Sequence, residues 1–262
     1  MEKIIFLVLF LVPNFLFAQI NEDAKRDNVW VTGYKYDFSL PEIETLYFNF
    51  NNDSLEVLFD SMDIKQFEIR FTSGSICDKD GNLLFYTNGC QIADVNHNII
   101  QGGEVINAGD IWDSNCPTKG YTVPQGIIII PKPNYEDTYW MFSQKKQLVW
   151  GQNVLGDVSN LMLNEIHHDT ITNDLIVNFV DSSLVADTLF GGHLAACRHG
   201  NGRDWWVIQP ELNTSGYYNF LVSPSGVELV EHQYIGDTLV VHLRNKDVKK
   251  AYISEWEDYQ KN

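Results

Sequence analysis

Four cysteines, Cys77, Cys90, Cys116 and Cys197, are the first residues in this chain whose type and spacing could carry chemistry. None forms a C-x-x-C pair, the spacing of zinc ribbons and thioredoxin-type redox sites, so neither chemistry is supported. Cys90 and Cys116 instead bracket a Gly-rich, irregular stretch, QIADVNHNIIQGGEVINAGDIWDSNC. Closing a loop of that size with a disulfide stabilises by roughly 3 kcal/mol in the chain-entropy model. Four cysteines allow three connectivities, and we expect Cys90–Cys116. Cys77 and Cys197 are left open, either paired or simply buried.

Acidic and imidazole groups offer a second set of candidates. Asp78, Asp80 and Asn82 in DKDGN suggest a calcium loop, but an EF-hand places its Gly sixth and a bidentate Glu twelfth. Here Gly81 is fourth and Gly89 twelfth, so a tight hairpin turn on Asp-Gly is the expectation. His167 and His168 are adjacent, and neighbouring side chains on a strand face opposite ways, which keeps them from sharing one metal ion. No G-x-S-x-G elbow, H-E-x-x-H helix, P-loop or Rossmann fingerprint occurs, and neither a cofactor nor a metal is expected. Glycoside hydrolysis needs only two carboxylates whose separation is set in three dimensions, so the 35 acidic residues leave that class open. Among the tryptophans, Trp140, Trp205 and Trp206 lie in strand-like runs and read as core, whereas Trp112, inside the Cys90–Cys116 stretch, reads as free to contact a ligand.

The elements that must position these residues are almost all strands. Short runs rich in Val, Ile, Tyr, Phe and Trp recur between Gly, Asn, Asp and Pro, at 67–72, 83–87, 127–130, 139–143, 175–180, 205–208 and 217–222. Only 246–260 (KDVKKAYISEWEDYQ) has loosely helical spacing. A larger unit repeats as well. SICDKDGNLLFYTNG (75–89), GIIIIPKPNYEDTYWMFSQ (126–144) and LAACRHGNGRDWWVIQP (194–210) each run from strand to polar turn to a strand with two adjacent aromatics. Adjacent aromatics point to opposite faces, so one of each pair fills an inner layer and the other packs on a neighbouring sheet. A further hairpin at 217–233, turning on Ser225-Gly226, reads as the outer strands following the third unit.

Whole hairpins repeat, rather than single strands, which favours a β-propeller over a β-sandwich. The 55–65 residues between aromatic strands exceed the usual repeat and leave room for about four blades. The expected fold is therefore all-β: a propeller-like repeat of about four four-stranded blades, incomplete in the sense that a closed ring usually needs more.

The ends and the charge set the compartment. Lys3, the apolar run Ile4–Val12 and Ala18 before Gln19 have the three-part form of a secretory signal peptide, residues 1–18. That run is too short to span a bilayer, and no Cys follows it to mark a lipoprotein, so no membrane span is expected after cleavage. The reading is residues 1–18 as signal peptide, 19–245 as propeller-like domain and 246–262 as a tail. A formal net charge of −17 repels phosphate backbones and disfavours nucleic acid as a partner.

Several strings together resemble a family of secreted propeller-like proteins of Bacteroidota, often carrying a C-terminal type IX secretion sorting domain. The strings are SGSICDKDGNLLFYTNG, the Cys90–Cys116 loop, GYTVPQGIIIIPKPNYEDTYWMF, GQNVLGDVSN and HLAACRHGNGRDWWVIQP, spanning about 70–236. The resemblance implies two to three blades of a seven-bladed propeller and an exported compartment (periplasm, cell surface or beyond). This chain departs from the pattern by ending at VVHLRNKDVKKAYISEWEDYQKN, without the sorting domain, and by carrying Ala195-Ala196-Cys197-Arg198-His199 in place of a Val- and Lys-containing version. Asp followed by Ser or Thr and an apolar residue, at Ser54, Ser61, Thr170, Thr188 and Thr238, is similar to the O-glycosylation acceptor pattern of exported proteins in that phylum. The functional expectation is a secreted, non-catalytic binding or scaffold module with a surface protein or glycan as partner. The alternatives are a carbohydrate-binding or glycoside-hydrolysing propeller, and a truncated fragment with no independent function.

Overall fold

A computed structural model describes residues 25–33, 45–52, 54–60, 69, 71–147 and 157–238. The signal-peptide stretch 1–18, Ser61 and the helix-like run 246–260 lie outside them. The described chain is all-β, built as four antiparallel sheets. The first holds β1 (Val29–Gly33), β2 (Thr45–Asn49) and β3 (Glu56–Asp60). The second holds β4 (Gly74–Cys77), β5 (Leu83–Thr87) and β6 (Ile92–Asp94). The third holds β7 (Ile127–Pro131), β8 (Thr138–Gln147), β9 (Asp157–Asp169) and β10 (Asp174–Leu189). The fourth holds β11 (Ala195–Arg198), β12 (Trp205–Pro210), β13 (Gly216–Ser223) and β14 (Gly226–Tyr234). Within every sheet the strands neighbour one another in chain order, so each is a simple meander.

The three repeated strings are the first hairpins of the second, third and fourth sheets: β4–β5, β7–β8 and β11–β12. The 217–233 hairpin is β13–β14, the outer half of the fourth sheet. Their turns follow from the residues present. Asp78 Oδ1 accepts hydrogen bonds from the Asp80 and Asn82 backbone N–H groups at 2.8 and 2.9 Å, and Gly81 takes φ 92°. A side-chain carboxylate thus stands in for a backbone acceptor, and glycine supplies the left-handed conformation.

Strand alternation then distributes apolar side chains to both faces of the inner sheets. On β8, Tyr139 and Met141 pack with Ile76 and Phe85 of the second sheet. Trp140 and Phe142 on the same strand pack with Val207, Phe220 and Val222 of the fourth. On β5, Phe85 joins the layer shared with the third sheet, while Tyr86 packs with Val31 of the first. Three apolar layers therefore hold four sheets in sequence order, and the paired aromatics divide between layers as expected from their adjacency.

Polar contacts tie the same junctions. Ser75 Oγ donates to the Val29 carbonyl at 2.9 Å and accepts from the Val31 N–H at 3.2 Å, fastening β4 to β1. A Cβ built on Gly74 of β4 would meet Ile127 Cγ2 at 2.6 Å, so glycine there lets β4 and β7 approach. Between the third and fourth sheets, buried Gln144 donates to Gln209 Oε1 at 2.6 Å.

Three expectations change. The sheets are not uniformly four-stranded: among the described residues the first and second have three strands each and the third and fourth have four. The run 67–72 is not a strand where it is described: Ile69 is buried in the first layer, but Phe71 is exposed and lies outside any strand. The Cys90–Cys116 stretch, read as irregular, contains the one helix among the described residues, α1 (Asp110–Lys119). Its sequence, DIWDSNCPTK, is poor in strong helix formers and includes Pro117. Acidic Asp110 and Asp113 in the first turn suit the helix dipole, and tertiary anchoring of Ile111, Trp112 and Cys116 supplies what propensity lacks.

Candidate functional site: the disulfide-closed loop

The segment from Asn88 to Tyr121 carries β6 of the second sheet, bridges to β10 of the third through Gln101 and returns to Asn88, whose carbonyl accepts the Tyr121 N–H at 3.1 Å. Its closure is the Cys90–Cys116 disulfide, with Cα atoms 5.7 Å apart. Cys77 is free and buried, and Cys197 is free and exposed. Burial pushes the Cys77 thiol up to about 11, which keeps it protonated and unreactive at neutral pH.

The loop is pinned along its length. Asn88 Oδ1 accepts from the Cys90 and Gln91 N–H groups, each at 2.9 Å. Farther along, Gln101 forms a parallel bridge with Ile176 of β10 and accepts the Val177 N–H at 2.9 Å. Asn107, in a left-handed conformation (φ 57°), donates to the Gly89 carbonyl at 3.0 Å and accepts from Ser143 Oγ at 3.0 Å. Asn164 reaches Ser143 Oγ at 3.4 Å, and its own oxygen accepts the Asp181 N–H at 2.8 Å. Asp181 Oδ2 accepts the Ala108 N–H at 3.2 Å, closing the circuit between loop and sheet. Buried polar groups that are mutually satisfied fix one geometry and are costly to disturb one at a time. Asp181 Oδ1 is buried with no hydrogen-bond partner among the described residues.

Tyr121 ends the segment, its hydroxyl accepting the Lys146 N–H at 2.7 Å. Burial first, and the Asp181 charge secondarily, push that phenol well above its ordinary range, so it remains neutral. Thr72 anchors the return strand, donating toward the Tyr121 and Val123 carbonyls at 2.8 and 2.9 Å and accepting the Val123 N–H at 3.0 Å. Among the residues the loop presents to solvent are the carboxylates Glu104, Asp110 and Asp113 and two apolar side chains, Val95 and Val105.

Trp112 is not a free ring at this surface. It is half-buried against the layer between the third and fourth sheets, and its indole N–H donates to the Cys90 carbonyl at 3.1 Å. The indole therefore positions the disulfide arm. Ser54, Thr170, Thr188 and Thr238 are all exposed, and Ser61 lies outside the described residues. The acceptor positions are dispersed over different turns rather than gathered with the loop.

Two other polar clusters are structural in geometry. Glu165 on β9 accepts from Lys132 Nζ at 2.8 Å, Trp140 Nε1 at 2.8 Å and Asn178 Nδ2 at 3.0 Å. Burial raises this carboxyl, but those hydrogen bonds and the Lys132 charge outweigh it and hold it below the usual carboxylate range. In the fourth sheet, Asp204 accepts Arg203 Nε at 2.7 Å and Asn201 Nδ2 at 2.7 Å, within the turn that joins β11 to β12. Arg203 hydrogen bonding lowers the Asp204 pKa more than burial raises it. The histidines do not converge: His168 Nε2 meets Asn173 at 2.9 Å, while His167 faces Asp137 at 3.7 Å. Sequence reading had no access to the Asn107–Ser143–Asn164 circuit, because its members are distant in the chain and belong to no motif.

Among the described residues, no group of three or more His, Cys, Asp or Glu is placed to hold a metal ion. No helix there is long and apolar enough to cross a membrane. Compared with known proteins, the chain matches no family, no curated protein and no solved structure.

Proposed function

We propose that this chain is a secreted, non-catalytic module of β-propeller type that displays loops for binding or scaffolding at the cell surface, as the resemblance to the Bacteroidota proteins implies. Four meander sheets in sequence order, with β1 beside β4 and β4 beside β7, support the blade reading, because radial sheets place their first strands together. The disulfide supports an oxidising compartment. The observation that carries the functional reading is the loop itself. Its inward polar groups are engaged in anchoring, its exposed residues include Glu104, Asp110, Asp113, Val95 and Val105, and a rigid scaffold presents them. Such a surface suits a protein or glycan partner recognised by shape and charge.

The test combines a hydrolysis screen over polysaccharides and esters with glycan-array and surface-protein binding. The expected result is no turnover, together with binding that weakens about tenfold in Val105→Asp. Turnover that disappears in Glu104→Gln or Asp113→Asn would overturn this reading in favour of a glycoside-hydrolysing propeller.

A further inference from the structure

Glu165 on β9 holds a primary amine on one carboxylate oxygen and a primary carboxamide on the other. Lys132 Nζ donates to Oε2 at 2.8 Å, and Asn178 Nδ2 donates to Oε1 at 3.0 Å. Local structure brings both there. Lys132 follows β7, with its N–H on the Thr138 carbonyl at 2.9 Å and its carbonyl accepting the Tyr135 N–H at 3.0 Å. Its ammonium lies 4.6 and 4.9 Å from the ring centroids of Tyr135 and Trp140. Asn178 sits in β10 where the register with β9 shifts between Val177 and Phe179. Irregularities of this kind re-aim a side chain, and here the carboxamide reaches Glu165. Trp140 Nε1 also donates to Oε2 at 2.8 Å and fixes the carboxylate. The Lys132 and Glu165 side chains are only 17% and 14% exposed, so little water competes for them. An ion pair needs those two alone. The third member turns its nitrogen, the leaving group in amide exchange, toward the base.

We propose that Lys132 and Asn178 join in an isopeptide bond that the folded chain forms by itself, with Glu165 carrying the protons. The Lys132 ammonium gives a proton to Glu165 Oε2, and the freed Nζ lone pair attacks Asn178 Cγ. The Nζ–Cγ bond forms, the Cγ–Nδ2 bond breaks, and Glu165 Oε1 delivers the proton to the departing nitrogen. Of the three ammonium protons, one stays on the new amide and two leave with Nδ2, which departs as ammonium. Nothing is oxidised or reduced. Burial raises the Glu165 carboxyl, but its hydrogen bonds and the Lys132 charge outweigh that, so it stands ionised as the base. Holding both reactants on one carboxylate turns an encounter between two groups into a step within one site. The bond is structural in effect. It ties the end of β7 to β10 across β8 and β9, closing from edge to edge the sheet that shares both larger apolar layers.

The experiment holds the purified full chain folded at neutral pH, then reduces and digests it and sequences the fragments by tandem mass spectrometry. The expected product is a branched peptide joining Lys132 to Asn178, lighter than its two linear fragments by one ammonia. An N-terminal Gln19 loses the same mass on cyclising, so the branched peptide, and not the whole-chain mass, is the readout. Lys132→Arg keeps the ion pair with Glu165 and should give no branched peptide, and neither should Asn178→Ala, at an exposed position. Glu165→Gln should slow its formation at least about a hundredfold. Circular dichroism melts establish that each variant folds. A folded wild type without the branched peptide overturns the proposal, as does a smaller slowing in Glu165→Gln. Neither the hydrolysis screen nor the binding screen depends on this bond, so the two readings fail separately.

Discussion

The first and third sheets use the same strand chemistry and reach opposite outcomes. Trp140 on β8 is 3% exposed, with Lys132 over its ring and its N–H on Glu165. Trp30 on β1 is 54% exposed and meets Phe50 edge-on, with ring centroids 5.2 Å apart. Both are tryptophans in short antiparallel strands with β-branched or aromatic neighbours. Among the described residues, the third sheet is covered on both faces by neighbouring sheets and the first on one only. Burial, and with it most of the stabilisation, is a property of position in the stack rather than of residue type.

Substituting the two tryptophans is the strongest test of that difference. Trp140→Ala removes a buried ring and strands the Glu165 carboxylate without one of its donors, and should lower unfolding free energy by about 3–5 kcal/mol in denaturant titration. Trp30→Ala should cost below about 1 kcal/mol in the same titration. Equal losses would mean that the first sheet is covered as fully as the third.

Reduction of the disulfide comes next in size. Cys90 and Cys116 are 26 residues apart, and opening them should cost about 3 kcal/mol. Hydrogen exchange should rise at Ile99–Ala108 while β2 and β3 keep their protection, since no staple reaches the first sheet. Loss of protection in both regions would show that the loop stabilises the whole stack.

A smaller effect reads the polar side of the third sheet. Glu165 is held below its unfolded pKa, so the unfolded chain binds the extra proton as pH falls through the carboxylate range. Its contribution is present above the ordinary glutamate pKa and is lost as pH drops toward the folded value. Glu165→Gln should therefore flatten part of the stability-versus-pH slope below about pH 4.5, near the ordinary glutamate pKa. Thermal melts at several pH values check this, and an unchanged slope would remove Glu165 from the linkage.

Much of this architecture was legible in the chain. Paired aromatics at Phe85-Tyr86, Tyr139-Trp140 and Trp205-Trp206 identified the leading hairpins of three sheets, because period-two alternation is local. Asp78–Asn82 was legible as a turn for the same reason. The first sheet was missed, since TLYFN and EVLFD are short and sit in polar sequence. Helix α1 was missed because Asp, Ser, Asn and Pro argue against it locally. Trp112 was read as free because nothing in the sequence says that its N–H will find the Cys90 carbonyl.

By itself the sequence determined the strand-rich class and the repeated hairpin, and it favoured Cys90–Cys116 among three connectivities. Each depends on alternation, turn chemistry or separation along the chain. Only the tertiary structure decided which aromatic of each pair faces which neighbour and how the loop is anchored through Asn107, Ser143 and Asn164. The physical reason is that hydrogen-bond satisfaction and burial are relations between residues far apart in sequence. They come into being when the sheets stack, and no local pattern encodes them.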